Sequence, residues 1–366
     1  MTTHRTACRR RPVALACALL ACTLAAEARC EGQHEWLVFL DAEGIYHNST
    51  PDDGLKRYDF EPGADLLYSY SNGRFRTLGE YFASTEETEL ERLQLGWQSG
   101  EASMAWIGRF HQPSSYWNSV YHHGKYLQTS ITRPSIDEFE DEGGVLPMHV
   151  SGGMLETGHG LNETAALKVT LSAGLAPVLD QHTLKPFDLL GPERGHGPGI
   201  DARIAYLPDE TAESQVGLVL GWADVEVDGN RSAEQQGLNA VGQYRLGAYI
   251  DWHWPRWRVI SALTPVINRL KRDARDQTDT FIAGYLQPEY ELDGQWTAFA
   301  RVEGTTHAHS SDYLELFPNY ITERAMLGLR FDYSAISAFT LELARAETEE
   351  SRDFGQVLLQ WSMVFP

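Results

Sequence analysis

The chain has 366 residues and carries 51 acidic against 30 basic side chains, a formal net charge of −21. That balance argues against nucleic acid or anionic headgroups as partners and favours a cation or a polar solute. All four cysteines (Cys8, Cys17, Cys22, Cys30) fall within the first thirty residues, so the rest of the chain has no disulfide framework and is held by hydrogen bonding and burial.

The N-terminal stretch reads as an export signal over residues 1–28. Arg9, Arg10 and Arg11 supply a positive n-region, Val13 to Ala26 an apolar h-region, and Ala26-Glu27-Ala28 an A-x-A cleavage site. Leu19-Leu20-Ala21-Cys22 is an imperfect lipobox and the alternative processing signal. The signal holds four arginines and one glutamate, so its removal leaves 26 basic against 50 acidic side chains in a single domain, 29–366. No later segment approaches roughly 18 consecutive apolar residues, so a transmembrane helix is not available.

After the signal the chain alternates with period two and shows almost no sustained helical period. Sixteen candidate strands lie near 36–47, 64–71, 74–83, 88–98, 102–110, 147–157, 164–174, 199–207, 214–226, 241–253, 256–265, 278–292, 295–305, 323–333, 338–347 and 354–365. In the last, Val357, Leu359, Trp361, Met363 and Phe365 share one face; in 241–253, Tyr244, Leu246, Ala248 and Ile250 oppose Arg245, Gly247, Tyr249 and Asp251. Every second connection is short, including the tight-turn pairs Asn72-Gly73 and Asp293-Gly294. The others, at 48–63, 111–146, 175–198, 227–240, 266–277 and 306–322, are long and mostly polar, with 84–87 and 348–353 as short exceptions. Tight turns at one end and long loops at the other form the pattern of an outer-membrane barrel, apolar face to lipid and polar face to a lumen. Tryptophans and tyrosines near strand ends, among them Trp36, Tyr68, Trp257 and Trp296, fit an interfacial girdle. The expected fold is therefore all-β: a transmembrane antiparallel β-barrel of about 16 strands.

A barrel of that size leaves an aqueous lumen. Inward parity gives its wall Arg74, Arg76, Arg92, Arg245, Arg301 and Arg330, with Arg203 and Arg258. The longest connection, 111–146, carries Tyr116, Trp117, His122, His123, Arg133, Asp137, Glu138, Glu140, Asp141 and Glu142, and is expected to fold into the lumen as a constriction loop. A basic wall facing an acidic loop would set a transverse field that sorts solutes by charge.

Sixteen strands with a long third external loop resemble the Gram-negative porins. Gly108-Arg109-Phe110-His111, Tyr116-Trp117-Asn118, Tyr121-His122-His123-Gly124, Arg133-Pro134 and Phe139-Glu140-Asp141-Glu142-Gly143-Gly144 resemble the loop region of a porin-like family of unassigned substrate. The resemblance implies an outer-membrane location in a Gram-negative bacterium, membrane lipid and small polar solutes or ions as partners, no cofactor, and a homotrimer. Two features depart from it. The chain ends Phe365-Pro366, and Ser84 to Glu87 is short where the general porins use a longer subunit latch.

Other chemistry has less to stand on. His122-His123 with Asp137, Glu140 and Asp141 could ligate a divalent cation, but adjacent histidines in an extended loop point apart, so no metal site is expected there. His149-Val150-Ser151 resembles the His-x-Ser of the outer-membrane phospholipase barrel, although parity turns both side chains inward and no orienting residue is near. Catalysis is not expected. A soluble β-sandwich binding module is the remaining alternative, and it leaves the short and long alternation of connections unexplained.

Overall fold

The computed structural model describes residues 32–48, 57–85, 88–121, 125–140, 142–192, 195–210, 213–227, 237–273, 275–350 and 353–366. The alternating segments form strands β1 (Gln33–His47), β2 (Tyr58–Asn72), β3 (Phe75–Ser84), β4 (Thr88–Gly100), β5 (Ser103–His111), β6 (His149–Gly160), β7 (Ala166–Leu175), β8 (Val178–Asp180), β9 (Thr183–Lys185) and β10 (Pro198–Leu207). They continue as β11 (Gln215–Val227), β12 (Leu238–His253), β13 (Trp257–Arg272), β14 (Gln277–Glu291), β15 (Trp296–Thr306), β16 (Ile321–Ser334), β17 (Ser337–Thr348) and β18 (Asp353–Phe365). One helix, α1 (Tyr116–Tyr121), lies between β5 and β6.

Consecutive strands pair antiparallel, β7 passes directly to β10, and β18 returns to β1 from Val38↔Phe365 to His47↔Gln356. Sixteen strands thus close a barrel and leave no sheet edge; β8 and β9 form a short hairpin inside one connection, which joins the wall where β8 pairs in parallel with β11 at Glu226↔Val178 and Val227↔Leu179. A single closed sheet excludes the two-sheet sandwich.

The alternation sets which face is which. On β12, Tyr244 and Leu246 are exposed outward while Arg245 and Tyr249 are buried inside; on β18, Leu359 faces out between buried Leu358 and Gln360. Repeated round the barrel, exposed Ile107, Leu171, Ile200, Leu218, Leu263, Leu286, Val302, Leu327 and Leu341 make an apolar outer belt. In water such a continuous belt would be an aggregation surface; in a bilayer it is the lipid-facing surface. Aromatic pairs ring the short-turn end, with Trp36–Tyr68 at 4.3 Å, Trp257–Tyr290 at 4.6 Å and Trp296–Phe331 at 4.5 Å between centroids.

Two expectations about the long connections are corrected. β2 begins at Tyr58 rather than near 64, because Tyr58 to Gly63 continue the ladder along β1 and the Tyr58 ring meets that of Tyr46 at 5.2 Å. The connections 176–197 and 307–320 are not simply polar loops: Leu179, Leu184, Tyr313, Leu314, Phe317 and Tyr320 are all buried. They pack with Tyr249, Ile260, Val266, Phe281 and Tyr285 from the inner faces of β12 to β14. Apolar residues on a connection have to leave water somewhere, and here the barrel interior receives them. One side of the interior is therefore a hydrophobic core rather than open solvent.

Glycines permit close approach where β5 and β6 meet. Gly108, Gly152 and Gly174 stand in register across β5, β6 and β7. Gly108 has φ +136°, and a Cβ there would lie 1.9 Å from the Leu93 carbonyl oxygen, so only glycine fits.

Candidate functional site

The connection between His111 and His149 is held by side chains from inward faces of the wall. Ser115 starts α1, its Oγ accepting from the Asn118 backbone N–H at 3.0 Å. Tyr116 then stacks on Tyr249 (4.5 Å, 16°) and donates its hydroxyl to Asp251 of β12, while Trp117 meets Tyr285 edge-on at 5.9 Å. Tyr121 takes a hydrogen bond from Arg258. Further on, Lys125 lies 3.3 Å from Asp41 and 3.6 Å from Glu43 of β1. The segment thus runs between β12 on one side of the barrel and β1 on the other. Burial opposes the Lys125 charge, but Glu43 and Asp41 prevail and hold its pKa well above the ordinary lysine value.

The middle of the loop is gripped through its backbone. Arg301 of β15 donates to the carbonyls of Thr132 (2.9 Å) and Arg133 (2.8 Å), Arg324 of β16 to Arg133 (2.8 Å), and Arg330 to Tyr126 (2.8 Å) and Gln128 (2.6 Å). Glu342 of β17 accepts from the N–H groups of Ile131 and Thr132, and Glu303 from that of Ser135. Nearer its return, Gln243 and Tyr313 donate to the Val145 carbonyl, and Arg245 bridges Gln112 and Asp201 at 2.8 Å each. A non-repeating backbone has no ladder of its own, so its buried polar groups require partners from elsewhere; the inward arginines and glutamates supply them.

The expected residues therefore divide. Arg245, Arg301 and Arg330 point inward but are buried against the loop, not bare to an aqueous lumen. Arg92 pairs with Glu80 and Arg258 with Asp251. Arg76 donates to the Gly73 and Phe75 carbonyls near the turn. Arg74 is corrected: Asn72↔Phe75 closes a two-residue turn, which puts Arg74 in the exposed turn rather than on the wall. Arg133 lies on the Phe139 ring at 3.7 Å and bonds Asn118, Asp137 accepts from Ser115 at 2.6 Å, and Glu140 bonds His149. His122, His123 and Asp141 lie outside the described residues. Sequence reasoning missed Gln112, Lys125, Glu303 and Glu342, single polar residues whose partners lie far away along the chain, on Arg245, Asp41, Ser135 and Ile131.

His149 and Ser151 form no dyad. The two ring nitrogens of His149 lie 2.7 Å from Glu140 and 2.7 Å from Glu91, and Ser151 Oγ faces the Phe187 carbonyl at 3.4 Å.

Beside the loop a cavity of about 920 Å³ opens against β1 to β4 and β16 to β18. Eight carboxylates and four lysines or arginines line it. Glu43, Asp59, Glu61, Glu89, Glu138 and Glu142 are among the acids, so this side of the wall is acidic and the field expected from a basic wall has the opposite sign here. The arginines that grip the loop backbone, Arg301, Arg324 and Arg330, stand on β15 and β16, whereas the cavity acids Glu43, Asp59, Glu61 and Glu89 stand on β1, β2 and β4.

Burial sets the chemistry of Asp137. Desolvation raises its carboxyl to about 6, with Ser115 and Arg133 pulling the other way. A raised acid pKa means that the docked loop holds the proton more tightly than a released one. Docking keeps that contribution, on the order of 3 kcal/mol, below the ordinary carboxylate pKa and loses it as pH rises through 6. The loop is expected to stay docked more firmly at about pH 4 than at about pH 7.5, and Asp137→Asn to remove that difference in the fluorescence of the buried Trp117.

Comparison with solved structures places this architecture. An outer membrane channel of Acinetobacter baumannii, DcaP, matches with TM-score 0.59 at 10% identity over 91% of this chain and 97% of that one. An anion-selective porin from Comamonas acidovorans matches with TM-score 0.61 at 12% identity over 92% and 100%. The fold is a porin fold. Salmonella typhi OmpF, solved in complex with daunomycin, matches with TM-score 0.56 at 10% identity over 91% and 97%. No family model matches the chain, and no curated protein does. At such identities the likeness is one of architecture alone, extending over nearly the whole of both chains.

Proposed function

We propose that this chain is an outer-membrane channel of a Gram-negative bacterium through which small polar solutes diffuse passively, with the 111–146 loop as its constriction and cations preferred. The observation that carries the reading is a closed porin barrel with a lipid-facing belt, whose cavity beside the loop is lined by twice as many carboxylates as basic side chains. Selection works by width and field without bond chemistry. A cation entering the cavity is drawn by carboxylates that a low-dielectric wall leaves poorly screened. The Comamonas porin is anion-selective; the acids in this cavity support the opposite preference for the present chain.

Liposome swelling tests the proposal. Vesicles carrying the detergent-purified protein are expected to admit small sugars and amino acids, and to admit a cationic amino acid faster than an anionic one of similar size. Vesicles that swell no faster than protein-free ones would count against the channel, and a faster anion against the assigned sign.

A further inference from the structure

A cluster at the roots of the loop has a different character from the acidic cavity. Glu91 on β4, His111 at the end of β5 and His149 at the start of β6 each offer one ligand atom, and these atoms all lie within 4.8 Å of one another, on three buried residues. His111 and His149 are direct cross-strand partners, with ring centroids 5.6 Å apart at 74°. His149 Nε2 lies 2.7 Å from Glu91 Oε2. Its other ring nitrogen, Nδ1, lies 2.7 Å from Glu140 Oε2, and Glu140 is itself fixed by accepting the backbone N–H groups of Met148 (2.7 Å) and His149 (3.1 Å).

We propose that Glu91, His111 and His149 form a binding site for one divalent transition-metal ion of the zinc class, independent of whether the barrel conducts. Two imidazoles and one carboxylate are a donor set for such ions, with water free to take a fourth position. The Glu140–His149 contact is of the kind that fixes a ligating histidine: a carboxylate on Nδ1 orients the ring and leaves Nε2 for the ion. Access is provided as well, since Glu91, His149 and Glu140 line the cavity. Bonds of about 2.0–2.1 Å in a tetrahedron put donors roughly 3.3 Å apart, so the Glu91–His149 pair at 2.7 Å opens slightly while the wider separations, within 4.8 Å, close. Because His111 and His149 bracket the loop, a bound ion clamps its two ends together, and Glu140 adds a tether from the loop itself.

The test uses the full chain in detergent, stripped with a chelator and titrated with Zn²⁺ alone, and with Co²⁺ alone for its visible spectrum. One ion per chain is expected at micromolar or tighter affinity, with the intense visible bands of a tetrahedral nitrogen and oxygen site for Co²⁺. His149→Gln and Glu91→Gln should each weaken uptake by about 100-fold or more, and Glu140→Gln by about 10–100-fold. His309→Gln, an exposed histidine outside the cluster, should change nothing. Heat-modifiable migration on gels verifies that each barrel is folded, and His111→Ala serves if His149→Gln does not fold. A folded wild-type chain that takes up no ion would overturn the site. So would uptake unchanged in folded His111→Ala and Glu91→Gln, because the ion would then be held by carboxylates elsewhere.

Discussion

Arg301→Ala is expected to release the middle of the loop while leaving the barrel intact. Arg301 is 1% exposed, and its guanidinium reaches Ser130, the carbonyls of Thr132 and Arg133, the Thr132 hydroxyl and Gln287, with Glu303 at 3.7 Å. Its removal leaves two buried carbonyls without that donor. Glu303 keeps Arg324, so the loss falls mainly on the loop. Taking one partner out of a buried charged network costs about 3–5 kcal/mol. The sixteen-strand ladder uses none of these bonds, so heat-modifiable migration should persist. Trypsin should cut after Lys125, which precedes Tyr126, in the variant far faster than in the wild type, and mean conductance should rise. An uncut loop with unchanged conductance would mean that Arg324, Arg330 and Glu342 hold it without help.

Glu138→Lys with Glu142→Lys is expected to abolish or reverse the cation preference. Both residues line the cavity, Glu142 is exposed, and Glu138 is partly buried on the same turn. Each unit of charge at roughly 8 Å from a passing ion is worth about 0.5 kcal/mol in bulk-like water and up to about 2 kcal/mol in a partly dry surround. Four units of change, discounted for salt, amount to about 1.4 kcal/mol or more, a tenfold change in the ratio of permeabilities. The reversal potential under a salt gradient reads it directly. Conductance at high salt should change little, because screening there removes the field and leaves the width.

The wall was legible in the sequence because its signal is local. Alternation such as Tyr244-Arg245-Leu246 assigns each face within a few residues, and Asn72-Gly73 with Gly73 at φ +57° marks a turn by its own chemistry. The departure of a long connection at His111 and its return near His149 were legible for the same reason. What fills the lumen was less so. Leu179, Leu184 and Phe317 are apolar residues in connections, and nothing in their neighbourhood says which surface covers them. Partners such as Thr132 and Glu342, or Lys125 and Asp41, are joined only when the barrel closes. Parity alone found the arginines, but not that they face loop carbonyls instead of water. It also missed that the acids of β1, β2 and β4 make the opposite side acidic, because nothing local sets Glu43 and Glu89 apart and Glu61 fell in the connection expected at 48–63. His149 was noticed for its spacing to Ser151, whereas its cross-strand partner His111 lies 38 positions earlier in the chain.

Single-channel recording of the detergent-purified protein in a planar bilayer, under a salt gradient, tests the central claim most directly. Stable conductance steps with a reversal potential of cation-selective sign are expected, and Glu138→Lys with Glu142→Lys should move that potential toward zero or past it. A correctly folded barrel that shows no steps would contradict a channel, and steps of anion-selective sign would contradict the role given to the acidic cavity.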